Sequence, residues 1–266
     1  MAQRSRARLC GGGARATRGA MASALSRPIH SIGKLVLNFA LPPRCAGCGQ
    51  VIEEVGAFCS ACWSSIEWLG NSGCSRCGLP LSGTEIDICG RCLAAPPALD
   101  RIRAAVAYDD LPRSIALKLK YGRKVALART MARYMMPLRG DWPADAIIAP
   151  VPLHRWRLWG RGFNQSALVA RELARKWGLR ADVMALRRVK RTRPLKGLNH
   201  AQRRRAVSGA FKATSSFSGR TIVLIDDVLT SGSTAEACAR ALRRAGAGRV
   251  ELVCWARVVR PSQLMR

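Results

Sequence analysis

Acidic residues are scarce in this chain. In 266 residues, 16 Asp and Glu stand against 45 Lys and Arg, a formal charge of +29, and none precedes Glu53. A field of that sign draws polyanions, whether nucleic acid, pyrophosphate or acidic lipid headgroups. General arginine enrichment, visible in the many Arg–Ala pairs, accounts for the same number, so charge alone assigns no partner. Long apolar runs are missing too. Apolar residues make up 48% of the chain, yet stretches such as Ile147–Leu153 have only the length of a buried strand, which excludes an integral membrane protein. There are three histidines, His30, His154 and His200, each without an acid or cysteine partner nearby in sequence, and none is assigned a catalytic role. No segment has the apolar core of a secretory signal.

Eleven cysteines are present, and eight fall into four Cys-x-x-Cys pairs: Cys45/Cys48, Cys59/Cys62, Cys74/Cys77 and Cys89/Cys92, with 10, 11 and 11 residues between them. Two residues between thiols let one tight turn aim both sulfurs at one ion, and two such turns complete a tetrahedral four-thiolate shell. Glycines follow cysteines of these pairs at Gly49, Gly78 and Gly90, where such turns call for positive φ or close backbone approach. The expectation is two structural Zn²⁺ ions with no open coordination position, in a reducing cytoplasm rather than a disulfide scaffold. Adjacent pairing, Cys45–Cys62 and Cys74–Cys92, is the simplest arrangement, and a crossed one stays open. Cys238 and Cys254 read as core side chains.

Residues 1–34 are expected to be a disordered basic N-terminus, Arg-rich and acid-free like a transit peptide; a true start at Met21 is the favoured account. Ile29 to Leu41 has helical spacing up to Pro42-Pro43. Residues 35–97 form the double ribbon and 98–266 an α/β domain. In the latter RIRAAVAY, AIIAPVPL, TIVLID and RVELVCWARV read as strands, and KVALARTMARYMM, NQSALVARELARKW and STAEACARALRRAGA as helices. That alternation implies a mainly parallel sheet with helices on both faces.

The most informative segment is Thr221–Thr234. An apolar strand ends in Asp226 and Asp227, and the short loop Thr230-Ser231-Gly232-Ser233-Thr234 opens a helix. Backbone amides at such a helix start hold a phosphate, and two carboxylates at a strand's carboxyl end accept hydrogen bonds from a sugar diol. An ordinary strand–turn–helix does not account for paired acids in so basic a chain.

This segment resembles the signature of the type I phosphoribosyltransferases, whose substrate is 5-phosphoribosyl-1-pyrophosphate (PRPP), bound with Mg²⁺. The resemblance implies that fold. It also implies that Asp226 and Asp227 hold the ribose hydroxyls and that Thr230, Ser231, Gly232, Ser233 and Thr234 hold the 5′-phosphate. With the upstream cysteines, the stretch from about Leu41 to Ala256 resembles the competence protein F (ComF) family, named for DNA uptake in natural transformation. Further matching stretches are Leu119-Lys120-Tyr121, Pro150-Val151-Pro152-Leu153, Arg161-Gly162-Phe163-Asn164-Gln165 and Gly209-Ala210-Phe211. By order in that family Arg161 meets pyrophosphate, and a mobile loop within Arg187–Arg205 closes over it. That segment carries nine basic residues and no acid. It departs from the family pattern at Leu195, Asn199 and Ala206.

Two functions follow. One is transfer of a phosphoribosyl group from Mg–PRPP to a nitrogen nucleophile, by positioning and electrostatics, with the zinc ribbon placed as a hood. The other is a single-stranded DNA-binding module that keeps the phosphoribose pocket, alongside competence or DNA-processing proteins. For that second role Trp156 and Trp159, interleaved with Arg155 and Arg157, offer stacking surfaces. The plainer expectation makes these tryptophans half-buried anchors between ribbon and domain. A nucleobase-salvage role lacks any base-selective motif.

Overall fold

A computed structural model describes residues 42–70, 73–81, 87–190, 197 and 199–259. The expected N-terminal tail and the helix at 29–41 lie outside the described residues, as do Arg191, Arg193 and Lys196 of the basic segment.

Among the described residues, β1 (Arg101–Ala107), β2 (Ile147–Pro150), β3 (Arg180–Ala181), β6 (Thr221–Leu229) and β7 (Arg249–Arg257) form one sheet in the order β1-β7-β6-β2-β3. Each neighbouring pair is parallel. The strands are apolar nearly throughout because both faces are covered. On β6, Ile222 and Leu224 join one core layer and Val223 and Ile225 the other. The first layer takes in α8 (Ser233–Arg244) and the antiparallel pair β4 (Leu186–Arg188) and β5 (Phe211–Ala213). The second takes in α3 (Asp110–Tyr121), α4 (Leu127–Met135) and α6 (Gln165–Trp177).

Several elements differ from the expectation for local reasons. Helix α3 was not anticipated, since Pro112 interrupts the sequence; it sits in the first turn, where a missing amide costs nothing. Arg155–Arg161, to which no element was assigned from sequence, is a short helix, α5, closed by Gly162 at φ 83°. Strand β6 continues past the two acids to Leu229, so the carboxylates lie within the strand and not after it. In the basic segment, Arg187 and Arg188 belong to β4, and α7 (His200–Ala206) is capped by reciprocal bonds between Asn199 and Gln202.

Among the described residues the cysteines gather as Cys45, Cys48, Cys59, Cys62 and as Cys74, Cys77, Cys89, Cys92, with all sulfurs of each group within 4.8 Å of one another. Adjacent pairing is therefore the arrangement adopted. A tetrahedral zinc with bonds of about 2.3 Å holds its sulfurs about 3.8 Å apart; Cys48–Cys59 and Cys77–Cys89 lie at 3.7 Å. Burial opposes charge on Cys45 and Cys74, yet backbone amides pointing at each sulfur outweigh it and bring both thiols down to about 6. Burial, with neighbouring thiols, pushes Cys62 up to about 12, so it is the cation's charge that makes all four sulfurs thiolate. The donor sets fit structural zinc. Gly49 (φ 84°) and Gly78 (φ 67°) take the left-handed backbone expected of them, whereas Gly90 does not and instead opens α2 (Gly90–Ala94), the counterpart of α1 (Ser60–Ser64) in the first ribbon.

The ribbons also protect the sheet. Leu69 N donates to Ala105 O at 2.9 Å and Ala107 N to Glu67 O at 2.9 Å, which covers the edge of β1. Phe58, Trp63, Trp68 and Tyr134 stack between the first ribbon and α4, with ring centroids 4.4 to 6.4 Å apart. These aromatics, and not Trp156 or Trp159, anchor ribbon to domain. Cys238 and Cys254 are fully buried, as expected of core thiols.

Candidate functional site

Connections leave β2 and β6 in opposite directions. From β2 the chain runs through α6 to β3; from β6 it runs through α8 to β7, on the other face. The two strands are neighbours, so a crevice opens at their carboxyl ends with a helix N-terminus on either side, which is where open α/β sheets bind ligands.

Both acids sit at this crevice and both reach the first turn of α6. Ser166 Oγ donates to Asp226 Oδ1 at 3.1 Å, and the Asp227 amide donates to the same oxygen at 2.9 Å. Asp227 is 3% exposed. Its Oδ2 lies 2.5 Å from Lys120 Nζ, and Gln165 Nε2 donates to its Oδ1 at 3.4 Å. Burial, then the neighbouring Asp227 charge, pushes the Asp226 carboxyl up to about 7, against the pull of Lys120. Burial tends to lower Lys120, but the charges of Asp227 and Asp226 prevail and hold it above the ordinary lysine range. The crevice thus carries a charge-compensated carboxylate beside one close to its midpoint at neutral pH.

The loop expected to hold phosphate follows directly. Gly232 is the N-cap of α8 at φ 77°, a conformation that favours glycine, and it brings no side chain of its own to cap the first amides. Ser231 and Ser233 hydroxyls are 3.0 Å apart and Ser233 is buried. Thr230 stands just past β6 and Thr234 in the first turn of the helix. Asp226, Asp227 and Thr230–Thr234 therefore share one strand end and one helix start.

Arg161 closes the other side. It ends α5, donates to Gln165 Oε1, and lays its guanidinium 5.1 Å from the centre of the Tyr121 ring. Trp156 and Trp159, on the same helix, are 51% and 81% exposed, with ring centroids 5.8 Å apart. They are not the half-buried anchors expected from sequence. A separate shallow hollow lies at the opposite edge of the sheet, lined by Ile147, Arg180, Asp182, Phe217 and Arg220, far from the acids in topology.

Sequence reasoning missed Lys120, Gln165 and Ser166 as site residues. Lys120 and Gln165 lay in stretches noted only for resemblance; their pairing with Asp227 spans 107 and 62 positions, which no local pattern reveals.

A double zinc ribbon domain matches residues 36–93 and a phosphoribosyl transferase domain matches residues 164–263. Competence protein F of Haemophilus influenzae is 31% identical over 237 residues, covering 85% of this chain and 94% of that protein. This chain belongs to the competence protein F family. The DNA utilization protein YhgH of Escherichia coli O6:H1 is 33% identical over 208 residues, covering 76% of this chain and 90% of the relative. Among solved structures, glutamine phosphoribosylpyrophosphate amidotransferase from Bacillus subtilis is 18% identical with a TM-score of 0.34, over 52% of this chain and 30% of that one, a likeness too distant to add to the assignment. As in the sequence reading, this ComF-family chain joins a parallel α/β phosphoribosyltransferase domain to a double zinc ribbon holding structural zinc. Among the described residues no helix is long and apolar enough to cross a membrane.

Proposed function

We propose that the crevice between β2 and β6 binds Mg–PRPP or a related 5′-phosphoribose group. The carrying observation is that two carboxylates and a glycine-capped helix start lie within nine residues of one strand end, Asp226 to Thr234. Asp226 and Asp227 accept from the ribose 2′ and 3′ hydroxyls, while the amides and hydroxyls of Thr230–Thr234 take the 5′-phosphate. Arg161 faces the pyrophosphate. In a transfer, a nitrogen nucleophile attacks C1, the C1–O bond breaks, and pyrophosphate leaves with the electron pair while the nucleophile gives up its proton. Asp226 and Asp227 are hard oxygen donors that would suit a Mg²⁺ brought in with the substrate, which would supply charge neutralisation on the leaving group. The chain's own part is orientation and fixed charge. The relatives' names, DNA utilization protein and competence protein, support a place among proteins that handle DNA, and a reducing cytoplasm is where the ribbons' paired thiols would stay reduced.

One observation favours a second reading, a single-stranded DNA-binding module. Trp156 and Trp159 are exposed beside the crevice, and the Arg155 guanidinium lies 5.6 Å from the Trp156 ring centre. Calorimetry with Mg–PRPP and with single-stranded DNA at two salt concentrations separates the readings. The first predicts PRPP binding with little salt slope, lost in Asp226→Asn with Asp227→Asn. Steep salt-dependent DNA binding that survives those changes, with no PRPP binding, contradicts it.

A further inference from the structure

The last turn of α3 is tied on two sides. On one, Lys118 Nζ donates to the carbonyl of Gly47 at 2.8 Å, and Gly47 lies between the zinc-site cysteines Cys45 and Cys48. The fit there is close: a Cβ on Gly47 would stand 2.8 Å from Cys62 Sγ and 2.9 Å from Leu111 Cδ1, a side chain of the same α3. On the other side, Lys120 Nζ lies 2.5 Å from Asp227 Oδ2. The contacts then close on themselves. Asp227 accepts from Gln165, Gln165 accepts from Arg161, and Arg161 sits over Tyr121, the residue after Lys120. Upstream, α3 is held by the core through the fully buried Ile115 and by a 3.2 Å bond from Trp255 Nε1 to Pro112 O. Its final turn combines three holds: the fully buried Leu119 between the two lysines in sequence, the knuckle carbonyl and the carboxylate.

We propose that Lys120 is a positioning residue of the crevice and that the first zinc knuckle, acting through Lys118 and α3, sets where its ammonium stands. Among the described residues Lys120 is the cation ion-paired with either acid. Without it the two adjacent carboxylates repel one another unscreened, and the crevice loses the arrangement that receives a sugar diol. A zinc cluster that contributes no open coordination position thereby tunes a site on another element. The part concerning ligand affinity rests on the phosphoribose reading above; the part concerning the carboxylates does not.

The test uses the zinc-loaded full chain and two readouts. The first is the ¹³C carboxyl titration of Asp226 with no ligand added. Asp226 is faced by Asp227, Lys120, Cys238 and Cys254, and Lys120 by Asp226, Asp227 and Tyr108. Lys120→Gln is expected to raise the midpoint by about one pH unit, because the charge that lowers it is gone. Lys118→Met, which keeps the aliphatic stem and loses the donor, is expected to shift it the same way by less, with zinc content unchanged; Lys120→Arg is expected to restore it. The second readout is calorimetry with Mg–PRPP, where Lys120→Gln is expected to weaken binding roughly tenfold to hundredfold. An Asp226 midpoint indifferent to Lys120→Gln overturns the positioning role. A midpoint that moves in Lys120→Gln but not in Lys118→Met overturns the knuckle's part. If both variants shift the midpoint while the wild-type chain binds no PRPP, the coupling stands and the ligand reading falls.

Discussion

The second ribbon and the sheet bury very different things. Around the second knuckle the buried cluster consists of Cys74, Cys89 and Cys92, with Cys77, Leu79, Leu81 and Ile88 against it. The sheet has an apolar layer on each face, with Trp255, Leu224, Met131 and Leu173 fully enclosed. A segment with so little to bury cannot offset its conformational entropy by packing, and the metal supplies the missing free energy. The first ribbon stands between these extremes, since it has zinc ligands and also the aromatic stack on Tyr134. Stability near the site therefore has two sources, one removable by a chelator and one not.

The comparison breaks most visibly at the metal. Cys74→Ser should release one zinc of two and unfold the second ribbon locally, since structural zinc contributes on the order of 10 kcal/mol to small cysteine modules. Limited proteolysis should then cut within residues 73–94 while the sheet resists. If the whole chain collapses together, ribbon and sheet are one folding unit and the contrast is wrong. Next in size is Trp255→Ala, expected to cost the sheet domain about 3–5 kcal/mol by leaving a cavity, with zinc content unchanged in metal analysis.

A pH effect follows for the sheet alone. The Asp226 carboxyl ordinarily titrates at 3.8 and is raised to about 7 in the fold. A carboxyl raised by folding binds its proton more tightly in the native state. Its contribution to stability is greatest at low pH and is lost as pH rises from about 4 through about 7. Denaturant melts across that window should show the decline, and Asp226→Asn should flatten it. The smallest effect belongs to the exposed pair Arg133–Glu54 between α4 and the first ribbon, at 2.7 Å. Glu54→Gln should leave the denaturation midpoint unchanged within error, because the aromatic stack beside it, not the ion pair, holds that contact.

What was legible in the sequence was whatever repeats or sits locally. The four cysteine pairs, the strand–helix alternation and the run from Thr221 to Thr234 each carry their pattern within a few residues. What was not legible depends on distance or on competing local signals. Lys120 gains its meaning from Asp227, and α3 hides behind Pro112 and a polar face of lysines. Gly49 and Gly78 follow the second cysteine of a pair and turn left-handed, whereas Gly90 sits inside its pair, after Cys89, and starts a helix, so a glycine beside a cysteine served two backbone shapes. Trp156 and Trp159 read as half-buried anchors because tryptophan is highly buried on average; their exposure depends on how α5 leaves β2, which a one-dimensional pattern does not fix.

The most direct test of the account is a ¹H–¹⁵N titration of the zinc-loaded chain with ribose 5-phosphate. The account predicts saturable shifts at the amides of Ser231, Gly232 and Ser233, weakened in Asp226→Asn with Asp227→Asn. Shifts confined to the hollow at Arg180 and Arg220, or none at the α8 start, would contradict it.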